Sequence, residues 1–143
     1  PNGIPNNLMP YITKVALGQL PELSVFGNDY HTKDGTGVRD YIHILDLAMG
    51  HVDALKKLEK GSGLNVYNIG TGNGYSVLEM VEAYNKVCGG KVKYKIAPRR
   101  AGDVDECYAS PKKAEKEIGF KAVHNLSEMC EDSYKFGKMK YKK

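Results

Sequence analysis

Three polar stretches of this sequence carry residue types that could hold an anion. GIPNNLMPY, residues 3–11, places the asparagine pair Asn6 and Asn7 at a helix start. DGTGVRDYIH, residues 34–43, delivers Arg39 after a flexible loop. APRRAGDVDECYA, residues 97–109, holds Arg99, Arg100 and Asp103 in a loop after a strand. Guanidinium groups make forked, charge-assisted bonds to phosphate. A carboxylate accepts hydrogen bonds from ribose hydroxyls, and helix-start N–H groups favour an anion. Together these are the groups a nucleoside diphosphate asks for. Taken singly, each arginine reads better as a surface ion pair and each asparagine as a turn residue, and nothing in composition brings the three stretches together.

Two further patterns imitate chemistry. VYNIGTGNGYSVLEM, residues 66–80, runs an apolar segment into glycines at 70, 72 and 74. A dinucleotide loop needs G-x-G-x-x-G, with the third glycine inside the helix start and an acid about 20 residues on. Here position 75 is Tyr75, and the chain around position 90 reads GGKVKYK, with no acid. The glycines read as a turn into a capped helix. Tyr134 and Lys138 have the Y-x-x-x-K spacing of a catalytic tyrosine with its lysine, but they lie in the lysine-rich end, and we read the match as chance.

These stretches need elements to position them. The pattern predicts helices over 8–19 and 44–60, strands at LSVFG and VRDYIH, and a strand at LNVYNIG, residues 64–70. Pro10 falls in the first turn of the first helix, where a missing N–H does no harm. Ile44, Leu47, Ala48, His51, Val52, Leu55 and Leu58 form one apolar stripe. Ser76 and Glu79 make a capping box for a helix that Gly89 and Gly90 stop. KVKYKIAP is a strand, and SPKKAEKEIG a short helix with Ser110 at the N-cap and Pro111 at the first position. NLSEMCEDSYKFG is the last helix, with Asn125 and Glu128 as a second capping box. Strands alternate with helices, which indicates an α/β fold.

At 143 residues the chain is one domain's worth, with 41% hydrophobic and 27% charged residues. No apolar run reaches the ~20 residues of a membrane-spanning helix. Cys88, Cys107 and Cys130 are too scattered for a disulfide framework and read as reduced thiols in a cytoplasmic protein. No histidine or cysteine spacing suggests a metal site. The net charge of +4 comes from KFGKMKYKK, which holds five lysines and no acid. With no basic stripe elsewhere and no aromatic RNA motif, we read it as a solvated, frayed terminus and expect no nucleic-acid partner. The chain starts at Pro1, not at Met, and is expected to be a processed chain or a piece of a longer one.

GIPNNLMPYI, FGNDYHTKDGTGVRDYIHILDLAMGH, YNIGTGNGYSVLEM and APRRAGDVDECYA resemble the C-terminal part of the UDP-glucose 4-epimerase (UDP-galactose 4-epimerase) family, which are extended short-chain dehydrogenase/reductases. The resemblance covers residues 1–137 as a UDP-sugar-binding domain and leaves 138–143 as a lysine-rich tail. It implies a homodimeric isomerase of galactose metabolism. In that family NAD sits on an N-terminal Rossmann domain, and sugar C4 is inverted through a 4-keto intermediate. That half, with its glycine fingerprint and catalytic Tyr and Lys, has no counterpart in this sequence, so the 143 residues alone are expected to bind no NAD and to have no activity.

The resemblance also implies site roles. Asn7 and Leu8 contact UDP, Ser24 and Phe26 lie beside uracil, and Val77 lies near the uridine. Arg39 and Arg100 hold the diphosphate, Asp103 the ribose, and Tyr41 is a weaker candidate. Cys107 borders the sugar near its C2 substituent, where a small residue leaves room for an acetamido group. No catalytic, cofactor-binding or metal-binding residue is expected among the 143. VYNIG is expected at the edge of the cofactor domain's sheet. Related epimerases of N-acetylated or pentose UDP-sugars are the near rivals, and a nucleotide-sugar-binding module without chemistry is the alternative class.

Overall fold

The structure is a computed structural model that describes residues 4–61 and 63–141. Lys142 and Lys143 of the expected tail, and Gly3 of the first polar stretch, lie outside the described residues. The elements are α1 (Leu8–Ala16), β1 (Leu23–Phe26), β2 (Val38–Asp40), α2 (Ile44–Leu58), β3 (Gly74–Ser76), α3 (Val77–Cys88), β4 (Tyr94–Ala97), β5 (Glu106–Cys107), α4 (Lys112–Ile118) and α5 (Leu126–Lys140). This is the expected α/β chain.

Three helices and one strand make the core. Ile12, Val15 and Ala16 of α1 meet Met80, Val81, Tyr84 and Cys88 of α3 and Cys130 of α5, with Leu23 and Val25 of β1 beneath them. The period-2 alternation of a strand does the rest. Leu23 and Val25 are buried, while Ser24 is half-buried and Phe26 exposed, so β1 offers its second face to a cleft. β1 pairs in parallel with β4, from Leu23 opposite Tyr94 to Phe26 opposite Ala97. A second small sheet has β2 at its centre, antiparallel to β3 and parallel to β5. Its register sets Arg39 opposite Tyr75 on one side and Cys107 on the other. Neither β3 nor β5 was expected, because two- and three-residue strands carry too little pattern to read.

A buried polar knot locks the three helices. Thr13 Oγ1 lies 2.8 Å from Tyr84 Oη and 2.9 Å from Ser133 Oγ, and it donates to Met9 O at 2.9 Å. Burial pushes the Tyr84 phenol up, so it stays protonated in the knot. Gly137 lets α5 approach this point, since a Cβ there would stand 2.4 Å from Thr13 Cγ2 and 3.0 Å from Leu17 Cδ1. Gly137 is therefore a close-contact residue inside α5 and not its end, and the helix runs on to Lys140. Lys138 belongs to that helix instead of a frayed tail, and its Nζ lies over the Tyr134 ring at 4.7 Å.

Both predicted capping boxes are present, Ser76 with Glu79 and Asn125 with Glu128. Gly89 and Gly119 end α3 and α4 in the left-handed conformation. Pro111 and not Ser110 is the N-cap of α4, and it makes no side-chain capping bond. α1 stops at Ala16, three residues short of the expected end, where Gly18 turns to φ 72°.

The main departures concern α2 and the segment after it. Ile44, Val52, Leu55 and Leu58 of the predicted stripe are exposed, and the buried positions of α2 are Asp46 and Gly50. The segment expected as a strand at 64–70 pairs with nothing among the described residues, and Leu64 and Val66 are exposed. A strand needs a neighbouring ladder, and none lies beside this segment among the described residues.

α2 is held instead by polar groups. His43 is its N-cap, accepting from Leu45 N on Nδ1, and its ring stacks on His124 with centroids 4.3 Å apart. Asp46 accepts from His124 Nδ1 at 2.8 Å and from the backbone N–H groups of Val123 and His124. The bond to Asp46 holds the His124 pKa above its ordinary value against the opposing effect of burial; the charges of Asp46, Glu128 and Asp132 act in the same upward direction. Burial acts to raise Asp46, but the hydrogen bonds from His124 and Val123 outweigh it and hold it below the usual carboxylate value.

Two outcomes follow from these contacts. Gly137→Ala should lower stability by about 1–3 kcal/mol despite alanine's helix preference of about 1 kcal/mol, because Thr13 is pinned and cannot move aside; urea unfolding measures it. The His124 pair gives a pH signature. A raised folded pKa contributes stability that is complete below the unfolded value of 6.5 and is lost as pH rises through the folded pKa. The melting temperature should therefore fall as pH rises from about 6.5 through the raised folded pKa, and His124→Asn should flatten that slope. The Asp46 contribution is lost at the other end, as pH falls below 3.8 and through its lowered folded pKa.

Candidate nucleotide-binding cleft

A cleft of about 210 Å³ opens where the start of α1, the outer face of β1, β2, the start of α3 and the loop after β4 converge. Asn7, Leu8, Ser24, Phe26, Arg39, Tyr41, Val77, Arg100 and Asp103 all line it. The three polar stretches of the sequence thus meet in one place. Arg99 is not among the lining residues, and neither is Cys107, which is exposed in β5 at the position paired with Arg39. Tyr30 and Gly37 also line the cleft and had no distinguishing sequence signal.

Asp103 organises the charged end. Its Oδ1 is 3.7 Å from Arg39 Nη2, and its Oδ2 accepts from Arg100 Nε at 3.0 Å. Arg39 Nη1 donates to Val38 O at 2.7 Å and Val104 O at 3.0 Å, which aims the guanidinium along the loop. The Arg100 guanidinium lies 4.8 Å from the Phe26 ring centre. Two cations share one carboxylate, so their remaining donors can take an anionic ligand. At the opposite wall Asn7 is the N-cap of α1 but makes no side-chain capping bond, which leaves its amide for other partners. Burial pushes the Tyr41 phenol up to about 12 against the opposing charge of Arg39, so it enters the cleft wall as a neutral hydroxyl.

The glycine loop at 70–74 does bind an anion, and the anion is this protein's own. Asp40 accepts from Thr71 N, from Thr71 Oγ1 at 2.7 Å and from Gly72 N at 3.0 Å. Ala109 N adds a further donor at 3.2 Å. Successive backbone N–H groups form such a nest wherever a residue turns left-handed, as Gly72 does at φ 75°. A Cβ on Gly70 would stand 2.6 Å from Asp40 Oδ2, so no larger residue fits there. With its donors taken by Asp40, the loop does not fit a dinucleotide phosphate. The local sequence did not reveal this role of Asp40, because its partners stand about thirty and seventy positions away.

The Tyr134 and Lys138 pair is a ring contact on α5. Among the described residues no three His, Cys, Asp or Glu side chains are placed to hold a metal ion, and no helix is long and apolar enough to cross a membrane. A larger hollow of about 690 Å³ between the start of α2 and α5 is mostly apolar, with Met9, Ile44, Leu45, Met129 and Phe136 in its lining.

Residues 1–133 match the family model described as GDP-mannose 4,6 dehydratase. The UDP-glucose 4-epimerase of Bacillus subtilis is 61% identical over 136 residues, which are 95% of this chain and 40% of that protein. Among solved structures, the UDP-glucose 4-epimerase of Stenotrophomonas maltophila with bound NAD and formylated UDP-arabinopyranose superposes with a TM-score of 0.94 at 48% identity, over 98% of this chain and 42% of that one. The Bifidobacterium longum UDP-glucose 4-epimerase in complex with NAD+ and UDP gives 0.92 at 52% identity, over 99% and 42%. The chain thus spans about 40% of the length of the curated relatives it matches. By its sequence over residues 1–133, and by a fold that solved relatives share almost completely, the chain belongs to the GDP-mannose 4,6 dehydratase family, where its close relatives are UDP-glucose 4-epimerases.

Proposed function

We propose that this chain is the C-terminal, UDP-sugar-binding portion of an NAD-dependent UDP-glucose 4-epimerase that interconverts UDP-glucose and UDP-galactose. The observation that carries this reading is the convergence of Arg39, Arg100 and Asp103 in one cleft beside Phe26. A UDP-bound relative at 52% identity supports it. The two arginines grip the diphosphate, Asp103 takes the ribose hydroxyls, and Ser24, Phe26, Val77 and the Asn7–Leu8 helix start enclose the uridine. An anchor on the diphosphate leaves the sugar free to present either face. Cys107, adjacent to Arg39 across the β2–β5 pair, borders the sugar.

On this reading NAD belongs to the part of the relatives that this chain does not match, in keeping with the Asp40 carboxylate that fills the glycine loop at 70–74. The exposed apolar stripe of α2 and the unpaired segment 64–69 support that division. Such surfaces favour a covering sheet or association. The whole enzyme is, on this reading, a cytoplasmic homodimer, and the 143 residues alone bind no NAD and have no turnover.

The direct test is UDP binding by the whole enzyme. Arg39→Ala and Arg100→Ala should each remove a charge-assisted contact of about 1.5–3 kcal/mol and weaken UDP about ten- to a hundred-fold. NAD affinity should stay unchanged. Unaltered UDP affinity in both variants, read by titration calorimetry, would reduce the two arginines to surface charges. A second outcome concerns sugar range. With Cys107 leaving room beside the sugar, the enzyme should also interconvert UDP-N-acetylglucosamine and UDP-N-acetylgalactosamine. Cys107→Tyr should abolish that activity and spare the glucose–galactose pair, because a close-packed wall does not yield cheaply; assays of both sugar pairs on both proteins decide it.

A further inference from the structure

Tyr30 sits in the wall of the cleft and is only 5% exposed. Among the described residues, its Oη is the one buried side-chain polar atom without a hydrogen-bond partner. Everything else about the residue is fixed. Tyr30 N donates to Gly35 O at 3.0 Å, and Thr32 N donates to Tyr30 O at 2.8 Å. The Arg99 guanidinium lies over the ring at 3.9 Å from its centre, and Arg99 is itself tied to Asp29 through Nε at 2.7 Å. On another side Gly27 leaves the space the ring fills, for a Cβ there would stand 2.6 Å from Tyr30 Cε2 and 2.7 Å from Arg99 Cγ. A phenol held this firmly and buried this deeply is expected to use its hydroxyl, because an unpaired buried donor costs stability that a phenylalanine would not.

Resting on the reading of this cleft as a nucleotide site, we infer that Tyr30 is a further ligand-binding residue: its hydroxyl donates to an oxygen of the nucleoside diphosphate. The same cleft is lined by groups assigned above to the shared UDP half, namely Phe26, Arg39, Arg100 and Asp103. Arg99, which stands outside the cleft lining, acquires a role through the same contact. It holds the ring in place before the ligand arrives, so little ordering is left for the binding step. The adjacent arginines of the loop thus serve both aromatic walls, Arg99 on Tyr30 and Arg100 on Phe26.

Tyr30→Phe removes the hydroxyl and keeps the ring, its stack with Arg99 and its contact at Gly27. In the intact enzyme, calorimetric affinity for UDP should fall about three- to ten-fold, with the same factor for UDP-glucose. The melting temperature of the ligand-free variant should not fall, since no protein partner is lost. Unchanged affinity for UDP overturns the proposal, as does a loss confined to UDP-glucose. A weaker affinity accompanied by a lower melting temperature also overturns it, because the hydroxyl would then be built into the wall through bound water. Failure of the wider reading is distinguishable: the wild-type enzyme would bind neither UDP nor UDP-glucose.

Discussion

The Asp40 carboxylate is the joint on which the cleft depends. It accepts from Thr71 and Gly72 in the glycine loop and from Ala109 after β5. β2 is the middle strand of its sheet, so this one side chain ties together the segments that flank it on both sides. Hydrogen bonds to a charged group contribute about 1.5–3 kcal/mol each, more than neutral ones. Strand alternation then puts the neighbouring Arg39 on the opposite face, toward Asp103 and the cleft. The internal anion on one side of β2 thus sets the register in which the guanidinium on the other side meets Asp103 in the cleft.

A similar economy of contacts shapes the aromatic wall. Gly27 closes β1 at φ 87°, a conformation that favours glycine. Its missing side chain is where the Tyr30 ring and the Arg99 stem pack. Asp34 fixes the loop that carries Tyr30, accepting from Thr36 N at 2.9 Å and Thr36 Oγ1 at 2.7 Å and also from Ser76 Oγ. Ser76 is the cap of α3, so the loop, the helix start and Val77 in the cleft are tied together. Burial works to raise Asp34, yet the bonds from Ser76 and Thr36 outweigh it and hold its carboxyl below the usual value.

α2 illustrates a helix whose apolar side and buried side differ. Its contacts within this chain include the Asp46–His124 bond, the stacked imidazoles and the close approach at Gly50, where a Cβ would lie 3.0 Å from Ile69 and 3.1 Å from Phe120. Its apolar stripe faces away from the core. The chain's own interior is therefore satisfied without the residues that sequence periodicity marks as interior, and the stripe remains exposed.

What the sequence by itself determined is local. Capping boxes at Ser76–Glu79 and Asn125–Glu128 and the glycine stops at Gly89 and Gly119 were legible, because each depends on residues three or four positions apart. The α/β alternation was legible from the order of the predicted elements. The residues of the cleft were legible as anion-binding types, and a family resemblance named most of them. Their convergence was not, since Asp103 reaches Arg39 across 64 positions of chain. The direction of the α2 stripe, the solitary segment at 64–69, the place of Gly137 inside its helix and the role of Tyr30 all needed the tertiary structure. Periodicity states that a face is apolar and spacing states that a turn is tight. Which body covers the face, and whose carboxylate fills the turn, is decided by packing between segments far apart in the chain, to which local preferences are blind.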